Sequence, residues 1–122
     1  MKIDEARLKD LEREQVQLSR EVIAYDVRQN YDLVAGVDVA YTKGSAYGAC
    51  VVMDKDFKVI ESSLSHTRLN FPYIPGFFSY REVEPSLSAV ESISEFDVLM
   101  VNGHGIAHPR KFGLASHIGL IL

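Results

Sequence analysis

The hydrophobic period of the chain changes near residue 33, and this change limits the folds that the sequence can adopt. Over roughly residues 4–24, apolar side chains recur at three- and four-residue spacing around Gln15. Such spacing predicts one amphipathic helix, and Asp4 can cap its start. Over residues 33–41 the period is two, which places alternate side chains on opposite faces of a strand. The chain therefore passes from a helix into a sheet.

Short turns divide the following segment into strands. Two turns, at 42–45 and 54–56, leave three strands, at 33–41, 46–53 and 57–66. Sequential strands joined by short turns predict an antiparallel meander. A loop with two prolines follows over 67–76.

The second half of the chain predicts two helices and one more strand. Phe77–Glu84 fits either a helix or an extended chain, and Pro85 suits the first turn of a helix that reaches about Ser94. The residues of that helix expected to face inward are Leu87, Val90 and Ile93. The apolar run 96–101 predicts a strand buried on both faces, and the chain looks helical again from Phe112. This order predicts an α/β fold with a mixed sheet, in which three antiparallel strands are followed by a helix, a buried strand and a helix.

Length and composition exclude several classes of protein. A chain of 122 residues allows one domain. It has no apolar run of the ~18 residues that a membrane span needs, so no membrane partner is expected. The single cysteine, Cys50, excludes an internal disulfide and suits a reducing cytoplasm. A net charge of −4 by itself argues against a nucleic-acid partner.

Asp38 is a carboxylate in the middle of the first predicted strand. A carboxylate that is buried without a partner loses its hydration, which is costly. Its neighbours on the same face, Gly36 and Ala40, are small and leave room for a metal ion. A salt bridge to a neighbouring strand would also explain Asp38, and this feature alone leaves both interpretations open.

Residues 71–82 concentrate aromatic side chains and prolines around an arginine–glutamate pair. Aromatic side chains on a loop stiffened by proline can stack on an unpaired base. Tyr73 and Ile74 lie between prolines and are hard to explain as core. The aromatic residues of this segment that fit a core are Phe77, Phe78 and Tyr80.

Residues 101–111 place glycines, two histidines and two adjacent cations directly after the buried strand. Glycine lets the backbone approach a ligand closely. The glycines and Pro109 prevent the histidines from sharing a helical face, and no third nitrogen or sulfur ligand is evident, which argues against zinc. A phosphate contact is more reasonable, and the residues that suit it are His104, His108, Arg110 and Lys111.

Taken in order, these segments resemble the endonuclease V family, which nicks nucleic acid near deaminated adenine (inosine). The resemblance is carried by Val34–Tyr41, Pro72–Glu82 and Gly103–Gly119, in the order and spacing of the family. It implies a ribonuclease-H-like fold and a Mg²⁺-dependent hydrolase, with Mn²⁺ as a plausible substitute. It also implies cleavage of the second phosphodiester on the 3′ side of the lesion.

The resemblance also implies roles for individual residues. Asp38 and Glu82 match two carboxylates that bind the metal, and Asn102 stands at the position of the third. His108 resembles a loop histidine near the scissile phosphate. Pro72, Tyr73, Ile74 and Pro75 resemble the wedge that parts the strands. The other positions implied to bind nucleic acid are Gly76, Gly103, His104, Gly105, Arg110 and Lys111.

The chain departs from the family in two respects. Asn102 offers a neutral oxygen where a carboxylate is expected, so we expect weaker metal binding and much slower cleavage, while substrate binding survives. An inactivating change made on purpose and a natural loss of catalysis both fit it. Family members are also longer, which predicts that residues 1–122 form a single but incomplete domain truncated at its C-terminus. The apolar end at 120–122 fits either a fragment or a chain whose end is covered by a second copy.

Two functions follow from these residues. The first is a DNA-repair nuclease that recognises inosine or other deaminated bases, with RNA as an alternative substrate. The second is a non-catalytic module that binds inosine or a particular nucleic-acid structure. The acidic balance does not exclude either function, because Asp38 and Glu82 would hold a cation that meets the phosphate.

Overall fold

The computed structural model describes residues 2–26 and 30–122. Its elements follow the order α1 (Glu5–Ser19), β1 (Val34–Thr42), β2 (Ser45–Met53), β3 (Val59–Arg68), α2 (Phe78–Glu91), β4 (Val98–Val101) and α3 (Leu114–Ile121). They form two compact units. The first comprises Met1–Ala24, Asn70–Val83 and Gly103–Leu122, and the second comprises Tyr25–Leu69 and Glu84–Asn102.

The second unit contains a four-stranded mixed sheet in the order β3-β2-β1-β4. β1 pairs antiparallel with β2 and parallel with β4, while β3 continues the meander at the other edge. Lys43 and Gly44 turn the β1–β2 hairpin with φ angles of 45° and 80°. Two consecutive left-handed residues give the tight turn whose twist matches that of the strands. The mixed α/β fold predicted from the sequence is confirmed.

The core of the second unit lies between one face of this sheet and the C-terminal part of α2. Its buried residues are Ala35, Val37, Cys50, Val52, Ala89, Val90 and Ile93. Two serines of β3 fasten the helix to the sheet: Ser63 Oγ donates to the carbonyl oxygen of Ala89 at 2.5 Å, and Ser65 Oγ to that of Pro85 at 2.9 Å. These bonds set the position of the helix along the sheet.

The first unit has its own core around α1. Leu11, Phe71 and Phe77 are buried together, and Ile74 and Tyr80 pack against them. Asp4 caps α1 as the sequence predicts, since its side chain accepts a hydrogen bond from Arg7 N at 2.8 Å. In the described ranges, no helix is long and apolar enough to cross a bilayer.

Several element boundaries differ from those predicted, and β3 spans Val59–Arg68 instead of 57–66. α1 ends at Ser19 rather than near residue 24, although Val22 beyond its end is also partly buried. α2 begins at Phe78, with Pro85 inside it rather than at its start. β4 is shorter than the predicted 96–101, and Met100 is 65% exposed instead of buried. α3 begins two residues after Phe112, because Gly113 is its N-cap.

Candidate functional site

Asp38 and Asn102 line one groove of the second unit. The parallel register pairs Val37 with Val101, so the two polar residues follow at equivalent positions on neighbouring strands. The groove has a volume of about 430 Å³, and its lining residues are Gly36, Val37, Asp38, Ala49, Val51, Met100, Val101 and Asn102. The topology therefore brings together two residues that are far apart in the sequence.

The Asp38 carboxylate lies on the exposed face of β1. Its Oδ1 accepts a hydrogen bond from Val39 N at 3.0 Å, and within the described residues it forms no salt bridge. The cross-strand partner of Asp38 is Ala49, a small residue. The salt bridge that the sequence left open as an explanation for Asp38 is therefore not formed with any residue of ranges 2–26 and 30–122.

The oxygen donors of this groove fit a hard divalent cation. Mg²⁺ prefers oxygen ligands and keeps several waters, so a site with one carboxylate and one amide oxygen can hold it through part of its coordination shell. Residues 2–26 and 30–122 contain no group of three or more His, Cys, Asp or Glu side chains arranged for a metal ion. The absence of such a group among these residues agrees with an asparagine at position 102, because the amide of Asn102 supplies an oxygen atom but no negative charge.

Glu82 belongs to the first unit, on the N-terminal half of α2. Its side chain is 6% exposed, in contrast to the exposed Asp38. An ionised carboxylate at this depth needs a polar or cationic partner. Its role as a metal ligand stays a prediction.

The backbone carbonyl of Gly76 is the centre of a hydrogen-bond cluster in the first unit. It accepts hydrogen bonds from Gln15 Nε2 at 3.0 Å, His108 Nε2 at 2.8 Å and Arg110 Nη2 at 2.8 Å. Gly76 has φ +85°, a conformation that favours glycine. These bonds tie α1 and the loop 103–113 to the end of the proline loop 72–76. We call this arrangement the Gly76 clamp.

The clamp determines the protonation of His108. Its Nδ1 accepts a hydrogen bond from Arg110 N at 3.0 Å, so Nε2 carries the proton that is donated to Gly76. Burial lowers the pKa of His108, which keeps the ring neutral. Both ring nitrogens are therefore occupied by protein groups.

Arg110 is also held by the first unit. Its Nε donates to Gln15 Oε1 at 2.5 Å, and its guanidinium carbon lies 4.6 Å from the centre of the Phe77 ring. A cation over an aromatic face is stabilised by the ring quadrupole. The predicted phosphate contact of His108 and Arg110 stays a prediction; in this structure both side chains hold the proline loop.

The proline loop presents one exposed aromatic ring. Tyr73 is 65% exposed, and its ring meets that of Phe78 edge to face at 5.9 Å. Ile74 packs against the core of the first unit. The two central residues of the predicted wedge therefore differ, since Tyr73 faces solvent and Ile74 anchors the loop.

The glycine–histidine loop packs tightly against the start of α3. Gly113 N donates to Gly105 O and Ala115 N donates to His104 O, both at 2.9 Å. A Cβ on Gly103 would lie 2.8 Å from Leu114 Cβ, so this position needs glycine. Among the predicted phosphate contacts, His104 and Lys111 are exposed, while His108 and Arg110 are half-buried.

Sequence reasoning missed two polar residues that shape the first unit. Gln15 is fully buried and bonds to both Gly76 and Arg110. Its signal was present, since it occupies a core position in the helical period of α1. His117 is 7% exposed, and its Nδ1 lies 3.0 Å from Ser79 Oγ. Only the tertiary fold brings His117 and Ser79 together.

Comparisons with known proteins identify the class and then the family. The fold is similar to that of solved nuclease structures, among them the catalytic domain of human Endonuclease V, with a TM-score of 0.89 and 30% identity over 98% of this chain and 56% of that chain. The Endonuclease V from Streptomyces avermitilis matches with a TM-score of 0.85 and 31% identity, over 98% of this chain and 54% of that one.

Sequence relatives agree with the structural matches. The family model for Endonuclease V matches residues 16–122. The Endonuclease V of Pyrococcus abyssi is 48% identical over 88% of this chain and 55% of the relative, and that of Methanopyrus kandleri is 42% identical over 91% and 50%. The chain therefore belongs to the Endonuclease V family, and it spans about half the length of these curated relatives.

Proposed function

We propose that this chain is part of a metal-dependent endonuclease that acts on inosine or other deaminated bases in DNA. The main support is that Asp38 and Asn102, on neighbouring strands, line one groove in a chain that belongs to the Endonuclease V family. Two family structures, from Ciona intestinalis, contain DNA with an inosine followed by a ribo-adenosine. They support a nucleic-acid substrate, and RNA is the alternative. The chain covers 55% of one relative and 50% of another, which supports one incomplete domain.

Asp38 and Asn102 are the proposed metal ligands of the groove. Glu82 as a metal ligand and His108 as a catalytic residue stay predictions from the resemblance. A bound Mg²⁺ or Mn²⁺ would stabilise the negative charge that develops on the phosphate and lower the pKa of a bound water. Both effects would favour hydrolysis of the second phosphodiester 3′ to the lesion. Asp38 contributes the exposed negative charge that attracts the cation. Asn102 orients a neutral oxygen towards the same groove and adds no charge, so metal affinity is reduced.

We propose that residues of the first unit bind the base. The Gly76 clamp fixes the proline loop, and Tyr73 at its tip offers an exposed ring for stacking. The glycines at 103 and 105 let the backbone approach a nucleotide, while His104 and Lys111 are exposed for a phosphate. His108 and Arg110 hold this loop, and their contact with a phosphate remains part of the proposal.

The first test restores the missing charge. We expect Asn102→Asp to raise Mg²⁺-dependent nicking of an inosine-containing duplex by about 100-fold or more, because a second carboxylate in the groove strengthens metal binding and charge stabilisation. Nicking is measured by gel electrophoresis of a labelled duplex, with an inosine-free duplex and the Asn102→Asp, Asp38→Ala double variant as controls. Absence of both binding and nicking in the parent and in Asn102→Asp would refute the proposed function.

The second candidate function is a non-catalytic module that binds inosine-containing strands. It is favoured by Asn102 and by the lack, within ranges 2–26 and 30–122, of a three-residue metal cluster. It predicts Mg²⁺-independent binding. If Tyr73 recognises the base, Tyr73→Ala should weaken binding about tenfold in fluorescence anisotropy.

The matched control for this second test is Tyr25→Ala. Tyr25 is similarly exposed, at 73%, but lies outside the proline loop. Equal affinities of the Tyr73→Ala and Tyr25→Ala variants would remove the proposed element of base recognition.

A further inference from the structure

The exposed face of the sheet continues beyond Asp38 as a set of cross-strand rows. Directly paired residues on neighbouring strands share a face. The rows on the face of Asp38 are Asp38–Ala49–Leu64, then Ala40–Tyr47–His66, then Thr42–Ser45–Arg68. Successive rows are about 7 Å apart, because each is two strand residues further on. Tyr47 and His66 therefore lie one row from Asp38, and Arg68 lies two rows away.

Tyr47 and His66 form a rigid aromatic pair in the middle row. Their ring centres are 4.6 Å apart and their planes differ by 5°, so the rings are stacked. His66 Nε2 lies 2.9 Å from Ser45 Oγ, which fixes the imidazole. Tyr47 is 41% exposed, and its partner on the side away from His66 is Ala40, whose methyl group is too short to cover a ring. One face of the tyrosine is therefore available to a planar ligand.

Two cations border this aromatic pair at the end of the sheet. Lys43 lies at the tip of the β1–β2 hairpin, and Arg68 is the last residue of β3. Leu69 N donates to Gly44 O at 2.8 Å, which holds the hairpin tip beside the end of β3. Neither cation forms a salt bridge with a carboxylate of the described residues. Their charge is complementary to phosphate.

We propose that these residues, Lys43, Ser45, Tyr47, His66 and Arg68, form a binding platform for an unpaired nucleic-acid strand. We call it the hairpin platform. Tyr47 stacks on a base, and Lys43 and Arg68 contact the flanking phosphates. Because the rows lead directly to Asp38, a strand on the hairpin platform approaches the groove that holds Asp38 and Asn102. This inference rests on the proposed function and extends it to a second surface.

The experiment measures binding of a fluorescein-labelled single strand to the 122-residue chain by anisotropy, with DNA and RNA strands of the same sequence. Tyr47→Ala should weaken binding about tenfold, while Tyr47→Phe, which keeps the ring, should stay within about twofold of the parent. Arg68→Ala should weaken binding about fivefold and reduce the slope of log affinity against log salt by about 0.7. A DNA–RNA difference identifies the preferred strand.

Two matched controls lie elsewhere on the same unit. Phe57 is an aromatic residue that is 83% exposed, and Lys58 is an exposed cation, both in the turn before β3. Phe57→Ala and Lys58→Ala should leave affinity and salt slope unchanged. The proposal is overturned if Tyr47→Ala and Arg68→Ala behave like these controls, or if the parent does not bind either strand.

A crosslinking measurement on the parent chain avoids dependence on the folding of variants. A strand containing 5-iododeoxyuridine should crosslink on irradiation to the peptide that carries Tyr47 or His66, as mapped by mass spectrometry. Crosslinks confined to other peptides would contradict the hairpin platform. Nicking by Asn102→Asp reports separately on the proposed function, so failure of the hairpin platform is distinguished from failure of the proposed function.

Discussion

At the scale of single residues, burial of neutral histidines makes stability depend on pH. His117 lies against Phe112 and Tyr80, with ring-centre distances of 4.9 and 5.3 Å. Burial lowers its pKa from the ordinary value of 6.5, and the Glu14 carboxylate only partly opposes this. The unfolded chain therefore binds more protons below that pH, so the free energy of unfolding falls as the pH decreases below about 6.5.

The predicted direction of this pH dependence can be tested with one substitution. Between about pH 7.5 and pH 5.5 the protonation of His117 should lower the free energy of unfolding of the parent by about 1 kcal/mol, and His117→Gln should reduce that dependence. Urea unfolding at each pH measures it. His66→Gln, at an exposed position, is the control. A parent whose stability is constant or rises as the pH falls through this range would contradict the prediction.

At the scale of elements, the packing of α2 on the sheet depends on a glycine. A Cβ on Gly48 would overlap the carbonyl oxygen of Pro85 and the hydroxyl of Ser65, which are hydrogen-bonded to each other. Gly48→Ala should therefore destabilise the protein by about 3 kcal/mol, because the helix must shift on the sheet.

Gly36→Ala is the matched control, since a Cβ there has no atom within 4 Å. It should change the unfolding free energy by less than about 1 kcal/mol. Urea midpoints of the two variants decide the comparison. Equal midpoints would show that the close contact at Gly48 does not set the position of α2.

The same helix shows what the sequence could and could not predict. The strands were predicted because short turns divide an extended apolar segment, and Ala35 and Val37 are buried on the face to which the period of two assigns them. The start of α2 was not, because the buried positions of its first turns are Ser79, Glu82 and Ser86, whose polarity hides the helical period. Pro85 then suggested a helix start, because proline inside a helix lacks the N–H donor, but it lies in the interior of α2.

The candidate site was also predictable from the sequence only in part. Asp38 was recognisable as a carboxylate in an apolar strand, and the parallel pairing of β1 with β4 places Asn102 beside it in the groove. The Gly76 clamp was not predictable, because it joins Gln15 to residues 61 and 95 positions away through one carbonyl and one guanidinium. Local periodicity carries no information about such contacts.

At the scale of the whole molecule, exposed apolar side chains on the sheet predict self-association. Phe57 and Leu64 are each 83% exposed and Met100 is 65% exposed, all in the second unit. β3 and β4 are also edge strands, and exposed edges with apolar neighbours favour pairing between chains. We therefore expect the average mass in sedimentation equilibrium to rise with protein concentration.

Substitutions on that face identify the cause of the association. Phe57→Ser with Met100→Ser should weaken self-association about tenfold or more, because burial of such side chains contributes about 1.5–3 kcal/mol each. Lys58→Ser, which changes an exposed charged residue next to Phe57, should leave it unchanged. A monomeric parent at all concentrations would contradict the prediction. Association that persists in the double variant would place the contact elsewhere on the protein. The hairpin platform lies towards the other end of β2 and is then the next candidate. Weaker binding of the nucleic-acid strand at high protein concentration than at low concentration would show that self-association covers it.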